Sequence, residues 1–446
     1  MLNEPASTIN DRRPRPSVDE TIRLPAKPQD DRLDAVRVAV MQVMAIQAEH
    51  PAAQITSDEV ERGILLMIKD SKPLLRFDGR LLIDSEAAYD QLDAQFLPLN
   101  LTPVFREAPD GPQMIHVIEG RAEPEPYDWI RVAVLFVATI LSLIYVGTIM
   151  RINEIAFESP LVGVVLYNSF NRNPLPELWR GIPYAVAIML ILGAHELGHY
   201  FAARRRDVAV TLPYFLPAPV GPFGTFGAFI RLRQTMKNRK ILFEIGAAGP
   251  IAGLIFAIPI LLYGLSTSPL APIGPGMVEG NSIIYAIAKR LVFGDWIPNA
   301  RVDVLVNQLA WAGWTGLFVT GLNLLPIGQL DGGHILYSLI GERARYIYYP
   351  GIAALAALSF LTNGSMLLML VLLIVFGRTY AVPLDNITPL DPRRRLIAIA
   401  TLVVFVLVFV PIPLSQRESV GLFGLGPSAL AVATALVIVG LQKLRR

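Results

Sequence analysis

Residues 193–206 read GAHELGHYFAARRR and place three ionisable side chains at the foot of the apolar stretch YAVAIMLILG. His195 and His199 are four residues apart, so in a helix their imidazoles lie on one face and can bind one metal ion. Glu196 lies beside that face, near enough to take a proton from a water molecule on the metal. Zinc suits this chemistry because it lowers the pKa of bound water and polarises a carbonyl group without redox chemistry. The pattern therefore predicts a hydrolytic zinc site.

The third protein ligand is expected from another segment, because catalytic zinc normally has three protein ligands and one open position. The candidate is Asp331, in NLLPIGQLDGGH at residues 323–334. The distribution of arginine and lysine puts Asp331 at the membrane depth of the two histidines. Taken alone, Asp331 is equally consistent with an N-cap for the helical stretch GHILYSLIG. His334 is assigned a supporting role beside the ligands or a structural one, since a fourth protein ligand would leave no room for substrate.

The composition favours an integral membrane protein. Of 446 residues, 53% are hydrophobic and only 17% are charged, which is too apolar for an ordinary soluble protein. Cysteine is absent, which excludes disulfides, thiolate nucleophiles and cysteine-ligated metal sites. The net charge of +2 gives no indication of nucleic-acid binding. Two further histidines, His50 and His116, lie far from the motif and are interpreted as ordinary surface or core residues.

Three parts are predicted along the chain: a disordered tail at residues 1–30, a soluble α+β domain at 31–127 and a membrane domain at 128–446. The first part is rich in proline and mixed in charge. In the second, DAVRVAVMQVMAIQAE has helical spacing and SEAAYDQLDAQFL predicts an amphipathic helix. KPLLRFDGRLLI predicts a hairpin that turns at Asp78-Gly79, and TPVFREAPDGPQMIHVIEG predicts a second hairpin.

About eight membrane spans are predicted, because a helix needs roughly twenty apolar residues to cross the hydrocarbon. Two of them come from dividing the run from Tyr346 to Phe376 at TNG. The loop from Arg204 to Lys240 is rich in arginine and lysine, so the positive-inside rule assigns it to the cytoplasm, with both termini and the mouth of the metal site. The predicted fold is an all-α polytopic membrane protein with a small N-terminal soluble α+β domain. The other six spans lie near residues 129–150, 181–203, 242–264, 305–327, 396–413 and 424–442.

The combination of HELGH in one span with NLLPIGQLDGG in a later one resembles the site-2 protease family of intramembrane zinc metalloproteases. AAGPIAG at 247–253 and FGTFGAFIR at 223–231 also resemble elements of that family. The resemblance covers about residues 129–390 and implies one zinc ion per chain. It further implies that the protein hydrolyses peptide bonds of transmembrane protein substrates, inside the lipid bilayer, with zinc-activated water.

The same resemblance implies roles for individual residues. His195, His199 and Asp331 would be the zinc ligands, and Glu196 would be the general base. Asn323, eight residues before Asp331, matches a family asparagine proposed to help hold the substrate or the oxyanion.

The branch of the family is indicated by what surrounds the motifs. The sequence between the spans resembles no PDZ domain, and a soluble N-terminal domain followed by eight spans is similar to the cyanobacterial and chloroplast branch. That branch carries a GNLR element, where this chain has DGRL at residues 78–81.

Other functions also fit parts of this pattern. The same ligands could serve a metal transporter or a non-proteolytic metal-binding membrane protein, although the other spans carry few ionisable residues. The chain could also be a membrane scaffold, although a purely structural metal site would need no base such as Glu196. The partners expected are transmembrane substrates and lipid, without nucleic acid. No pattern in the sequence indicates an oligomeric state.

Overall fold

A computed structural model describes residues 29–55, 71–107, 111–122, 126–274, 276–362, 364 and 366–417. The chain in these ranges is mostly helical, with a small sheet region at its N-terminal end. The predicted tail at residues 1–30 lies outside the described residues, except that Gln29 already begins the first helix. The predicted span at 424–442 also lies outside them.

The N-terminal region, residues 29–122, is an antiparallel four-stranded sheet packed against two helices. The strand order is β1-β2-β4-β3, so β1 and β3 form the two edges. Its apolar core also includes Ile387, from the other end of the chain, so the region does not complete its core alone. The elements are α1 (Gln29–Met41), β1 (Met44–Pro51), β2 (Pro73–Leu81), α2 (Ser85–Phe96), β3 (Leu101–Glu107) and β4 (Gln113–Glu119).

Two local predictions in this region were wrong in part. Helical spacing was predicted to continue beyond Met44, where β1 begins instead. The hairpin predicted at Asp78-Gly79 does not exist, because both residues lie within the continuous strand β2. Gly79 is needed for a close approach of backbones: a Cβ atom there would lie 2.2 Å from the carbonyl oxygen of Ala45. The second predicted hairpin is confirmed by the antiparallel pairing of β3 with β4.

The remaining part of the chain contains ten helices among its described residues. Between them lie a hairpin, formed by β5 (Tyr214–Pro217) and β6 (Thr225–Phe229), and the short strands β7 (Leu270–Pro272), β8 (Gly276–Glu279) and β9 (Val302–Val304). A last strand, β10 (Leu414–Arg417), follows the helices and pairs with β8. The helices are α3 (Trp129–Glu158), α4 (Pro160–Arg172), α5 (Ile182–Arg205), α6 (Arg239–Ser266), α7 (Ile283–Phe293), α8 (Gln308–Asn323), α9 (Asp331–Ile340), α10 (Tyr348–Leu361), α11 (Leu367–Phe376) and α12 (Pro392–Val408), of which α9 follows directly on the loop after α8.

Three helical segments are long and apolar enough to cross a bilayer. They are α3, α6, and α5 together with the 3-10 turn that precedes it, over Leu175–Arg205. The other helices in predicted spans have 10 to 17 residues, below the roughly twenty needed to cross alone. The integral membrane class is therefore supported, whereas the count of eight spans exceeds what the described helices show.

The hairpin β5–β6 occupies the proline-rich loop between α5 and α6, where the two strands pair antiparallel. Side chains of three helices fix its tip by donating hydrogen bonds to three consecutive carbonyl groups. These bonds run from Trp311 Nε1 to Pro222 O at 2.9 Å, from Tyr184 Oη to Phe223 O at 2.8 Å and from Ser142 Oγ to Gly224 O at 2.7 Å. The hairpin thus enters the bundle between α3, α5 and α8.

Candidate metal centre

Helix α5 carries HELGH, as predicted, and its last three turns position the first ligands. His195, Glu196 and His199 are all buried. The Nε2 atoms of the two histidines lie 3.2 Å apart, one helical turn from each other. Both imidazoles therefore point to the same place.

Asp331 reaches that place from the start of α9. Its Oδ2 atom lies 3.2 Å from His195 Nε2 and 3.3 Å from His199 Nε2. The alternative role as an N-cap does not fit, because Leu330 is the N-cap residue of α9 and no side chain caps that helix. Within the described residues, these three side chains form the one group of His, Asp and Glu close enough to share a metal ion.

The spacing of the three ligand atoms fits zinc. Ligand atoms about 2.0–2.2 Å from a tetrahedral zinc ion lie roughly 3.3–3.5 Å from one another. The three separations here are 3.2, 3.2 and 3.3 Å. Two nitrogens and one carboxylate oxygen also match the donor set of catalytic zinc sites, which leaves a fourth position open.

A backbone carbonyl of α6 orients one of the ligands. The Nδ1 atom of His199 lies 2.6 Å from the carbonyl oxygen of Ile245. Because that oxygen can only accept, Nδ1 carries the proton and Nε2 keeps its lone pair for a metal. This contact could not be predicted from the sequence, because any residue type offers the same backbone acceptor.

Two glycines of α6 provide the space for the histidine rings. A Cβ atom on Gly249 would lie 2.1 Å from His199 Nε2, and one on Gly253 would lie 3.3 Å from His195 Nδ1. Both glycines belong to the stretch AAGPIAG at 247–253. Its small residues let α6 pack directly against the ligand-bearing face of α5.

We expect Gly249→Ala to lower zinc affinity by at least tenfold, because the new methyl group would occupy the position of the His199 ring. The effect should match or exceed the roughly 10–100-fold loss typical when a ligand's supporting contacts are removed. Chelator competition on the purified protein measures the affinity. Gly193→Ala, on α5, is the matched control, since a Cβ there meets nothing within 4 Å. Equal zinc affinities for these two variants would contradict the assigned role of Gly249.

Glu196 lies close to the three metal-ligand side chains and also to the backbone of Ile230, just after β6. The predicted base is therefore next to the hairpin as well as to the ligands, a placement that could not be inferred from residue spacing alone.

Asn323, the last residue of α8, lies at the edge of the same cluster. Its Nδ2 atom is 3.2 Å from His195 Nε2. The amide N–H group of Asn323 is therefore a hydrogen-bond donor that faces the ligand atom of His195.

The other histidines stand outside the group. His334 lies against α6, where a Cβ on Gly246 would be 3.0 Å from its own Cβ, and its Nδ1 atom has no hydrogen-bond partner among the described residues. His50 Nε2 pairs with Asp78 at 3.1 Å, and His116 is buried in β4. Both of the latter belong to the N-terminal region, as expected.

Comparison with known proteins finds a matching family model and several curated relatives. Residues 183–369 match the family model described as peptidase family M50. The chain is 30% identical over 309 residues to the probable zinc metalloprotease EGY2, chloroplastic, of Arabidopsis thaliana, which covers 68% of the chain and 54% of the relative. It is 28% identical over 319 residues to the probable zinc metalloprotease EGY1, chloroplastic, of the same plant, covering 68% and 57%. The chain thus spans about half the length of these curated relatives. No solved structure matches it.

Proposed function

Because this chain belongs to the site-2 protease family, peptidase family M50, we propose that it is an intramembrane zinc metalloprotease that cleaves transmembrane protein substrates. One observation carries the proposal. His195 and His199 from α5 and Asp331 from α9 bring their ligand atoms together with the spacing that zinc requires, and the buried carboxylate of Glu196 stands beside them. The family resemblance seen in the sequence is confirmed by the match to the M50 family.

We assign roles to five residues. His195, His199 and Asp331 would hold one zinc ion, the metal named in the chloroplast relatives. Glu196 would be the general base, and Asn323 would donate a hydrogen bond to the substrate or the oxyanion. When bound, zinc lowers the pKa of a water molecule and polarises the substrate carbonyl.

The residues of the chain then account for the proton transfers. Glu196 takes a proton from the attacking water, whose oxygen bonds to the carbonyl carbon. The same carboxyl group passes the proton to the amide nitrogen as the C–N bond breaks, so that the fragment leaves as an amine. The Nδ2–H group of Asn323 stabilises the negative oxygen formed between these steps. A helical substrate must unwind first, because its peptide carbonyls are otherwise held in helical hydrogen bonds.

We also propose the finer organisation expected from the sequence. It comprises a tail at 1–30, a soluble domain at 31–127 and a protease domain at 128–446 with about eight spans. Both termini and the mouth of the site would face the cytoplasm. The exposed arginines at the ends of α5 and α12, on the side of the metal centre, support this orientation.

The direct test is zinc-dependent cleavage of a generic transmembrane peptide by the purified full-length protein in liposomes. We expect cleavage to stop when a chelator removes zinc and to return when zinc is restored. Zinc content measured on the same samples ties activity to the metal. A protein that binds zinc and never cleaves any of a panel of transmembrane peptides would contradict the proposal.

Metal transport is the alternative function, and the same liposomes test it. A transporter needs a series of ionisable groups through the membrane, whereas the described residues contain a single group able to share an ion. Flux of zinc into the liposomes without peptide cleavage would favour transport.

A further inference from the structure

The segment of residues 382–389, VPLDNITP, lies between the N-terminal region and the start of α6, and we call it the linking segment. It continues the N-terminal sheet across its open edge. Asp385 forms parallel bridges to Phe105 of β3 on one side and to Asn238 on the other. The linking segment therefore acts as an extra strand shared by the two parts of the protein.

On the side of the N-terminal region, the linking segment is held by backbone and side-chain hydrogen bonds. Phe105 N donates to Leu384 O at 2.9 Å, and Asn386 N donates to Phe105 O at 3.2 Å. The buried Arg106 donates from Nη1 to Pro383 O at 3.1 Å and to Leu384 O at 2.9 Å. Edge strand β3 is thus covered rather than open to solvent.

On the other side, the linking segment is bound to the residues at which α6 begins. Leu384 N donates to Met236 O at 2.9 Å, and Asp385 N donates to Lys237 O at 2.7 Å. Arg239, the first residue of α6, donates to the carbonyl oxygens of two further residues of the segment, Ile387 at 3.0 Å and Thr388 at 3.2 Å. Because a buried backbone group that loses its partner is costly, these bonds hold the junction firmly in one arrangement.

Helix α2 of the N-terminal region also contacts the start of α6 directly. Glu86 accepts hydrogen bonds from Lys240 Nζ at 2.6 Å and from Asn238 Nδ2 at 3.0 Å. The hydrogen bond from the Lys240 ammonium lowers the pKa of the Glu86 carboxyl, which therefore stays ionised at neutral pH. Asp90 forms an ion pair with Lys237 beside it.

Helix α6 leads from this junction to the metal centre within two turns. Ile245, whose carbonyl orients His199, follows Arg239 by six residues, a rise of about 9 Å. Between them, Glu244 forms ion pairs with Arg206, just after α5, and with Arg394 of α12. A displacement of the start of α6 would therefore change the position of the carbonyl that orients a ligand.

We propose that the N-terminal region positions the metal centre, with Arg106 as the positioning residue that acts through the linking segment and α6 on His199. The proposal rests on the proposed function in that it takes His199 as a zinc ligand. The N-terminal region then serves to hold the first turns of α6 where Ile245 O meets His199 Nδ1.

The first test compares two arginines of the N-terminal region in the full-length protein. Arg106→Ala removes the donor to the linking segment, whereas Arg121→Ala removes hydrogen bonds to Asp93 that stay within the region. We expect Arg106→Ala to lower zinc affinity by about three- to tenfold, somewhat less than the loss of a ligand's direct supporting contact. It should also alter the visible spectrum of the cobalt-substituted protein. Arg121→Ala should leave both unchanged, and Arg106→Lys should restore part of the affinity.

The second test uses the wild-type protein alone, so it holds even if Arg106→Ala does not fold. Coupling between two sites is reciprocal. If zinc binds more tightly when the N-terminal region is docked on α6, bound zinc must also stabilise that docking. Removal of zinc should therefore speed hydrogen exchange at the amides of Phe105, Leu384, Asp385 and Asn386, which bond across the junction. Exchange in the β2–β4 pairing, inside the sheet, is the internal control.

The outcomes separate this inference from the proposed function. Suppose that the wild-type protein binds zinc and cleaves peptide, but that zinc does not change hydrogen exchange at the junction and Arg106→Ala does not change zinc affinity. The positioning role is then wrong and the proposed protease function stands. If zinc binds and couples to the junction but no peptide is cleaved, the positioning role stands and the proposed function is wrong.

Discussion

Replacing Glu196 with glutamine should leave zinc bound and reduce the cleavage rate by about 10²–10⁴-fold, the usual contribution of a positioned general base. Glutamine has nearly the same size and shape as glutamate, so the packing around position 196 is preserved. Its amide cannot take a proton from water. The variant therefore removes the proton transfer and little else, since none of the three proposed ligands is changed.

The measurement is single-turnover cleavage of a transmembrane peptide, with zinc content determined on the same preparation. Glu177→Gln is a suitable control, because that glutamate is buried near the start of α5 and pairs with Arg180, far along the helix from the metal centre. If Glu196→Gln cleaved at the wild-type rate with a full complement of zinc, another group would have to act as the base.

Replacing Asp331 with alanine should lower zinc affinity by more than the roughly 10–100-fold that follows from the loss of an outer contact, because it removes a proposed ligand outright. Two histidines would remain, one short of the three protein ligands usual at catalytic zinc. Activity should fall with the bound zinc and recover little at high zinc concentration. Chelator competition gives the affinity, and the peptide assay gives the activity.

A helix-capping aspartate separates this effect from general instability. Asp128 caps α3 by accepting hydrogen bonds from Ile130 N and Arg131 N. Asp128→Ala should therefore lower the free energy of unfolding by about 1 kcal/mol and leave zinc affinity unchanged. Asp331 makes no such cap, as Leu330 holds that position. If Asp331→Ala bound zinc as tightly as the wild-type protein, the assignment of Asp331 as the third zinc ligand would be wrong.

The candidate site was predictable from sequence where its residues carry their chemistry in their side chains. HELGH fixes two imidazoles on one helical face, and the charge distribution brought Asp331 to the same depth, which the distances bear out. Ile245 and Gly249 could not be found in this way. The first acts through its backbone, and the second matters because a side chain is missing, so neither residue type signals its part in orienting His199.

The fold was predictable where a pattern is local. The hairpin of β3 and β4 and helix α2 follow from alternation and periodicity. Gly79 was misread because a glycine beside an aspartate is typical of a turn, whereas here the neighbouring strand β1 requires it. The linking segment lay beyond prediction, since its pairing with β3 joins residues almost three hundred positions apart and depends on the assembled bundle.

The place of HELGH along α5 bears on what the reaction would release. His195 to His199 lie six to ten residues before Arg205, about 9–15 Å from the arginine-bearing end of a helix that is long enough to cross some 30 Å of hydrocarbon. Under the proposed function, a bond cut at this level would divide a membrane-embedded polypeptide unequally. The distal product would keep the longer apolar segment and stay anchored, whereas the proximal product would keep only a few apolar residues, too few to hold it in the bilayer.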